Sequence, residues 1–197
     1  SDITKVLSST EAYKRSSGLS VDQVYYNEKV PFAYDYADDD PGVYPSYSEH
    51  GTHVAGIIAG RDDNKIVNKD TNETFVGVAP EAQLVICKVF TDDLDSDMLG
   101  GADTVDILAA LSDCATLGVD VINMSLGSSC GFTEENKEEG GFVVSEVYQK
   151  IEDLGISLVV AASNDYSSGF GGGNGTNLAS NPDSGTIGSP GTYSASL

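Results

Sequence analysis

The stretch "DTVDILAALSDCATLGVDVINMSLG" (residues 103–127) carries the pattern that decides the fold class. Its first part has apolar residues at helical spacing, namely Val105, Leu108, Ala109, Leu111 and Ala115. Gly118 follows as a left-handed cap position that would end the helix. The next run, "VDVINMSLG", is apolar and of strand length. The stretch predicts a helix over 103–118 and a strand over 119–127.

The same alternation extends to both sides of this stretch. Further strands are predicted over 30–37, 83–90 ("QLVICKVF") and 156–164, with a weaker candidate in 185–195. Further helices are predicted over 50–60 and 140–155, with looser helical patterns in 9–17 and 21–30. Apolar strands alternating with helices indicate βαβ units, and unbroken apolar runs indicate strands buried on both faces. We therefore predict an α/β fold, a doubly wound and mostly parallel sheet with helices on both faces. Functional residues should lie just past the carboxyl ends of the strands.

The charge of the chain restricts its partners. Ten basic and 31 acidic residues give a net charge of −21, which repels nucleic-acid phosphate and anionic lipid. No run of 18 apolar residues occurs, so no membrane insertion is expected. The acidic clusters, such as "DYADDD" and "TDDLDSD", are typical of solvated loops. Structural calcium is the alternative, but no EF-hand spacing appears, and the sequence assigns no cofactor and no metal site.

The three cysteines give no disulfide framework, since their number is odd and no CxxC occurs. Cys87 and Cys114 stand in apolar segments and are predicted to be small buried residues. Cys130, in "GSSCGF", is predicted to be more exposed. A nucleophilic thiol is the weaker interpretation.

Both histidines of the chain lie in "SEHGTHVAGIIAG" (48–60). Zinc binding is disfavoured, because the HExxH spacing and a third histidine are absent. Both residues could simply be structural residues at the start of a helix. For His53 we favour this structural role, in which the side chain packs and carries no chemistry. His50 sits where a helix dipole would disfavour the imidazolium, so it would stay neutral, as a general base near pH 7 requires.

Other motifs leave alternatives open. Asn164 ends a predicted strand and suits a turn as well as a site. Ser125 is not in a G-x-S-x-G elbow. The glycine cluster at 167–177 lacks a following Lys-Ser/Thr and a helix start, so nucleotide binding is disfavoured.

Three segments resemble motifs of the subtilisin-like serine endopeptidases and occur in the same order along the chain. "HGTHVAGIIAG" is similar to the histidine motif, "VINMSLG" (121–127) to the substrate-binding strand, and "LVVAASND" (158–165) to the oxyanion segment. The segments "NEKVPFAYDYADDD" and "SNPDSGTIGSPGT" resemble the large cell-envelope members, the lactocepin and C5a peptidase group of Gram-positive bacteria. The resemblance implies a secreted or cell-wall serine protease that acts on polypeptide substrates.

The resemblance also implies residue roles. His50 would be the general base, and Asn164 would donate its side-chain amide to the developing oxyanion. Ser125, Leu126 and Gly127 would pair through their backbone with an extended substrate. Ala161 and Ala162 would line the pocket for the residue before the cut.

Two expected motifs are missing from the sequence. No Asp-Ser/Thr-Gly precedes His50, and no Gly-Thr-Ser-x-Ala follows Asn164. We expect residues 1–197 to be a partial, incomplete catalytic domain that shows no peptidase activity alone. Apolar surface of the 83–90 and 121–126 strands would then be exposed, which favours oligomerisation. The alternative is a non-catalytic binding or scaffold domain that kept the fold without a triad.

Overall fold

A computed structural model describes residues 3–128, 138–162, 187–193 and 196–197. The chain divides into two units, Ser1–Thr116 and Leu117–Leu197, which are presented one at a time. Within the described ranges, no helix has the length and apolar character needed to cross a membrane.

A parallel strand pair forms the centre of the first unit. Strand β1 (Phe32–Asp35) pairs in parallel with β4 (Val85–Lys88), and the register sets Phe32 opposite Val85 and Asp35 opposite Lys88. All four residues of β1 are buried, as a strand covered on both faces should be, whereas those of β4 are half-buried. Two charged residues therefore meet at the carboxyl edge of this pair.

Five helices belong to the first unit in the part of the chain that is described. They are α1 (Ile3–Leu7), α2 (Glu11–Arg15), α3 (Val21–Val24), α4 (His50–Ala59) and α5 (Thr104–Leu117). Helices α4 and α5 confirm the predictions for 50–60 and 103–118, and Gly118 has the left-handed φ of 73° expected of a cap. The patterns at 9–17 and 21–30 give only short helices, and α1 was not predicted.

A hairpin covers α4. Strands β2 (Arg61–Asn68) and β3 (Glu73–Val76) pair antiparallel. Gly77 after β3 lies so close to α4 that an added Cβ would sit 2.7 Å from the carbonyl oxygen of Gly56. Ala59 of α4 is fully buried. Small residues of α4 thus allow the segment after β3 to pack closely against the helix.

A buried carboxylate joins α5 to the amino-terminal helices. Asp113 accepts hydrogen bonds from the backbone N–H groups of Glu11 (2.6 Å) and Ala12 (2.9 Å) and from the hydroxyl of Tyr36 (2.8 Å). Burial raises the pKa of Asp113 despite these three donors. The carboxylate satisfies the open N-terminus of α2 and fixes it against the core.

The second unit repeats the parallel arrangement. Strand β5 (Val121–Met124) pairs in parallel with β8 (Ser157–Val160), and helix α6 (Val144–Asp153) lies between them in sequence. The short strands β6 (Glu138–Glu139) and β7 (Phe142–Val143) form a hairpin just before α6, so the predicted helix over 140–155 begins later than expected. In the described part of 185–195, which is 187–193, Ser189 forms an isolated β-bridge with Ser128, and no regular strand is present.

The β5–β8 pair is buried on one face only. In both strands buried and exposed residues alternate, and Val121 (59% exposed) and Val159 (43%) point outward. The prediction that these strands are covered on both faces is wrong for the described residues. The expected exposure of apolar surface from the 121–126 strand is found at Val121.

Candidate active site

His50 is the first residue of α4 and is exposed. Its backbone N–H donates to the Ser48 hydroxyl (3.4 Å), and Glu49 occupies the cap position without a capping side-chain hydrogen bond. The imidazole thus stands in the first turn of the helix and is open to solvent. His53 is exposed as well, so the packing role favoured for it is not found.

The segment that leads into His50 is held by the loop after β4. The Ser46 backbone N–H donates to the Asp92 carboxylate over 2.8 Å. Gly100 of the same loop has a φ of 74°, and an added Cβ there would lie 2.5 Å from the Tyr47 ring. Just upstream of His50, Ser46 is therefore held by a hydrogen bond, and the Tyr47 ring, although 57% exposed, lies close to Gly100.

Asp92 is in turn held by Lys88, the last residue of β4. The Lys88 ammonium contacts three carboxylates: Asp35, Asp38 at 3.0 Å and Asp92 at 3.2 Å. Its side chain is 13% exposed, and that of Asp35 only 2%. We call these four residues the Lys88 cluster. It ties the carboxyl ends of β1 and β4 to the loop that supports the approach to His50.

The Lys88 cluster perturbs the acidity of its members in opposite directions. Burial raises the pKa of Asp35 to about 6, although Lys88 opposes the shift. At Asp38 partial burial acts upward, but hydrogen bonds from Thr91 (2.5 Å) and Lys88 outweigh it and lower the pKa. The Ser46 N–H and Lys88 lower the pKa of Asp92. At Lys88 burial acts downward, but the bonds to Asp35 and Asp38 prevail and raise its pKa.

The same three carboxylates are the group of metal-type ligands found among the described side chains. Lys88 contacts each of them and supplies the positive charge that a cation would bring. Their arrangement is therefore that of an ion-pair cluster, and we assign it no metal.

In the second unit, the predicted substrate-binding residues share one sheet edge. The register pairs Met124 with Val160, so Ser125, Leu126 and Gly127 leave β5 beside Ala161 and Ala162, which leave β8. The Ala161 N–H donates to the Met124 carbonyl over 3.0 Å. All of these residues except half-buried Leu126 are exposed. The expectation that they collect at the carboxyl ends of parallel strands is met for these five residues.

A second segment flanks this edge. Ser128 and Ser189 exchange two backbone hydrogen bonds of 2.9 Å, and Gly188 donates to the Ala162 carbonyl over 2.9 Å. An added Cβ on Gly127 would lie 3.0 Å from the Ser189 carbonyl oxygen. Gly127 therefore allows the Ser189 carbonyl to approach the backbone closely.

Three residues singled out in the sequence are not placed with these five. Asn164 lies outside the described residues, as does Cys130, and His50 belongs to the first unit while residues 125–127 and 161–162 belong to the second. Sequence reasoning missed Lys88 and Asp92. The available signal was a lysine near the end of an apolar strand, followed by the acidic run at 92–97.

Comparison with known proteins identifies the family. The profile described as "Subtilase family" (Peptidase S8) matches residues 15–197. The chain belongs to the subtilase family. It is 37% identical over 147 residues to the PII-type proteinase of Lactococcus lactis subsp. cremoris, covering 74% of this chain, and 32% identical over 191 residues to the C5a peptidase of Streptococcus pyogenes, covering 95%. It spans only 7% and 15% of those two proteins.

A solved subtilase-type structure supports the fold. The protease domain of PatA matches with a TM-score of 0.50 at 24% identity, over 76% of this chain and 42% of that domain. Together with the two parallel strand pairs, this confirms the predicted subtilisin-like α/β class in incomplete form.

Replacing Lys88 should expose the importance of the Lys88 cluster. We expect Lys88→Met to reduce the free energy of unfolding by roughly 2–4 kcal/mol, because three carboxylates lose their common cation, two of them still partly in water. Lys14→Met is the matched control, since Lys14 is 59% exposed and makes only a surface pair with Glu11. Urea denaturation measures both, and equal effects would contradict the assignment.

Asp35 should leave a signature in the pH dependence of stability. Its folded pKa of about 6 lies above that of the unfolded chain, so the folded state binds more protons between about pH 4 and 6. This contribution to the free energy of unfolding therefore falls as pH rises through that window, by at most about 3 kcal/mol.

The difference between wild type and Asp35→Asn isolates this effect. Asp38 and Asp92 have lowered pKa values, so their stabilisation is lost only as pH falls below about 4. Denaturation curves from pH 4 to 7 give the free energy of unfolding at each pH. We expect this free energy to fall less steeply with rising pH in Asp35→Asn than in the wild type. The exposed Asp97→Asn serves as control, and identical slopes in both variants would refute the role of Asp35.

Proposed function

We propose that this chain is part of the catalytic domain of a serine endopeptidase that hydrolyses peptide bonds of extracellular proteins through an Asp-His-Ser triad. The observation that carries the proposal is the ordered set of histidine, substrate-strand and oxyanion motifs within a chain that the subtilase profile matches. The similarity to cell-envelope proteinases supports a secreted or cell-wall location in a Gram-positive bacterium.

In the proposed mechanism, His50 is the general base. It takes the proton from a serine hydroxyl as the oxygen attacks the scissile carbonyl, and later gives it to the leaving amine. Its exposed position in the first turn of α4 suits this role, since a general base must be accessible to the group whose proton it takes. The contacts at Ser46 and Tyr47 would restrict movement of the segment that enters α4.

The second unit would bind the polypeptide substrate and the oxyanion. Ser125, Leu126 and Gly127 would pair with an extended substrate as an added strand, and all of them except half-buried Leu126 are exposed. Ala161 and Ala162 would line the pocket for the residue before the cut. Asn164 follows in sequence and would donate its side-chain N–H to the oxyanion that develops in the transition state.

The acid and the nucleophile of the triad would come from other segments of the parent protein. The two missing motifs and the small share of the relatives that this chain spans support that view. Those segments would also cover the exposed apolar side chains of Val121 and Val159. The 197 residues alone would then be inactive, and an uncovered face would favour self-association. We propose no cofactor.

Substitution of Asn164 in the full-length parent tests the oxyanion role. We expect Asn164→Ala to lower kcat on a peptide substrate by roughly 10²–10³-fold with little change in KM, because the donor acts mainly on the transition state. That magnitude is the one established for subtilisin, a member of the same family. Steady-state kinetics of the purified variant provide the measurement.

His53→Gln in the same assay is the control. His53 lies on the same helix as His50 and is exposed, but carries no assigned chemistry, so kcat should stay within a few-fold of wild type. Wild-type kcat in Asn164→Ala would overturn the oxyanion role. A parent protein that hydrolyses no peptide substrate would favour the non-catalytic scaffold.

A further inference from the structure

We propose that Cys87 and Cys114 form a disulfide bond that joins strand β4 to helix α5. Their Sγ atoms lie 3.9 Å apart in the structure, and both side chains carry free thiols. A disulfide has an S–S length of about 2.05 Å, so closure requires each sulfur to move by only about 1 Å. Both residues sit on regular elements, which hold the two sulfurs in contact.

The surroundings of the pair determine when the bond forms. Cys114 is 7% exposed, and the neighbouring Tyr36 and Asp113 are buried. The contact with Cys114 and burial raise the pKa of the Cys87 thiol, which disfavours the reactive thiolate at neutral pH. The bond should therefore form while the core is still open during folding. Once the core closes, the buried Cys114 sulfur is shielded from reductants, whereas Cys87, which the sequence predicted to be buried, is only half-buried.

The oxidant is a disulfide, either of a small thiol such as glutathione or of a thiol–disulfide oxidoreductase. One cysteine thiolate attacks a sulfur of the oxidant, which gives a mixed disulfide and releases one thiol. The second cysteine then attacks the protein sulfur of that mixed disulfide, closing the bond and releasing a second thiol. The two cysteines lose two electrons and two protons, and the two sulfurs of the oxidant gain them.

The bond would close the base of the loop between β4 and α5. The two cysteines are 27 positions apart, and the loop between their elements contains Asp92 and Gly100, which contact the segment before His50. A cross-link over such a span stabilises the folded state mainly by restricting the unfolded chain. It would also hold together the two elements between which this loop runs.

Peptide mapping of the full-length parent tests the proposal without any activity measurement. The protein with Cys130→Ser is unfolded in urea, refolded with glutathione disulfide, unfolded again in iodoacetamide, and digested. We expect a linked pair of peptides that contains Cys87 and Cys114, lighter by two hydrogen atoms than the two thiol peptides and separated by reduction. Alkylation of both cysteines without prior reduction would overturn the proposal.

Thermal unfolding of the same protein gives a second readout. Reduction should lower the melting temperature of the domain that contains this chain by roughly 5–10 °C. Cys87→Ala cannot form the bond, so its melting temperature should not change on reduction. If Cys87→Ala does not fold, Cys114→Ala takes its place as the control. A shift of equal size in the alanine variant would contradict the proposal, and the peptide map requires neither variant.

Discussion

The ammonium group of Lys88 is the constraint on which the first unit's functional edge depends. It stands at the carboxyl end of β4 and contacts carboxylates from the end of β1, from the turn after β1 and from the loop after β4. A half-buried cluster of this kind is favourable only when complete, because each carboxylate left without its cation carries a desolvation cost. The cluster therefore fixes three segments at once. Through Asp92 it reaches the backbone of Ser46, four residues before His50.

Each unit carries residues of the candidate site at the carboxyl ends of a parallel strand pair. In the first unit Asp35 and Lys88 end the strands and support the segment before His50, and in the second the predicted substrate-binding residues lie just past the strand ends. In the first unit that edge carries charge, and in the second it carries small residues with exposed backbone. Under the proposed function, the charged edge would help to position the base, and the other edge would admit an extended peptide. The substrate-strand motif and the described part of the oxyanion motif thus each end at the carboxyl end of a parallel strand.

The sequence predicts local structure well wherever periodicity is strong. Helix α5 follows directly from its apolar spacing, and Gly118 and Gly155 adopt the left-handed φ expected of residues that end helices. The β2–β3 hairpin was not anticipated, because "RDDNKIVN" is mostly polar and lacks the alternation of a half-buried strand. Its stability depends on packing against α4, which involves distant residues such as Phe75 and Gly60.

The candidate site shows the same limit. His50 and residues 125–127 were found from motifs, because their residue types and order are specific. The Lys88 cluster and the contact of Cys87 with Cys114 were not found, since each joins residues far apart in the chain through side chains that look ordinary locally. The sequence shows an acidic run and a lysine at a strand end, but not which carboxylates contact the lysine. The parallel pairing of β1 with β4 determines this, because it places Asp35 opposite Lys88.

The most direct test of the functional account is labelling with a fluorophosphonate, which reacts with a serine activated by a histidine base. The account predicts that the full-length parent is labelled at one serine outside residues 1–197. It also predicts that His50→Gln abolishes the label and that the 197-residue chain alone takes none. Labelling of the isolated chain, or undiminished labelling of His50→Gln, would contradict it.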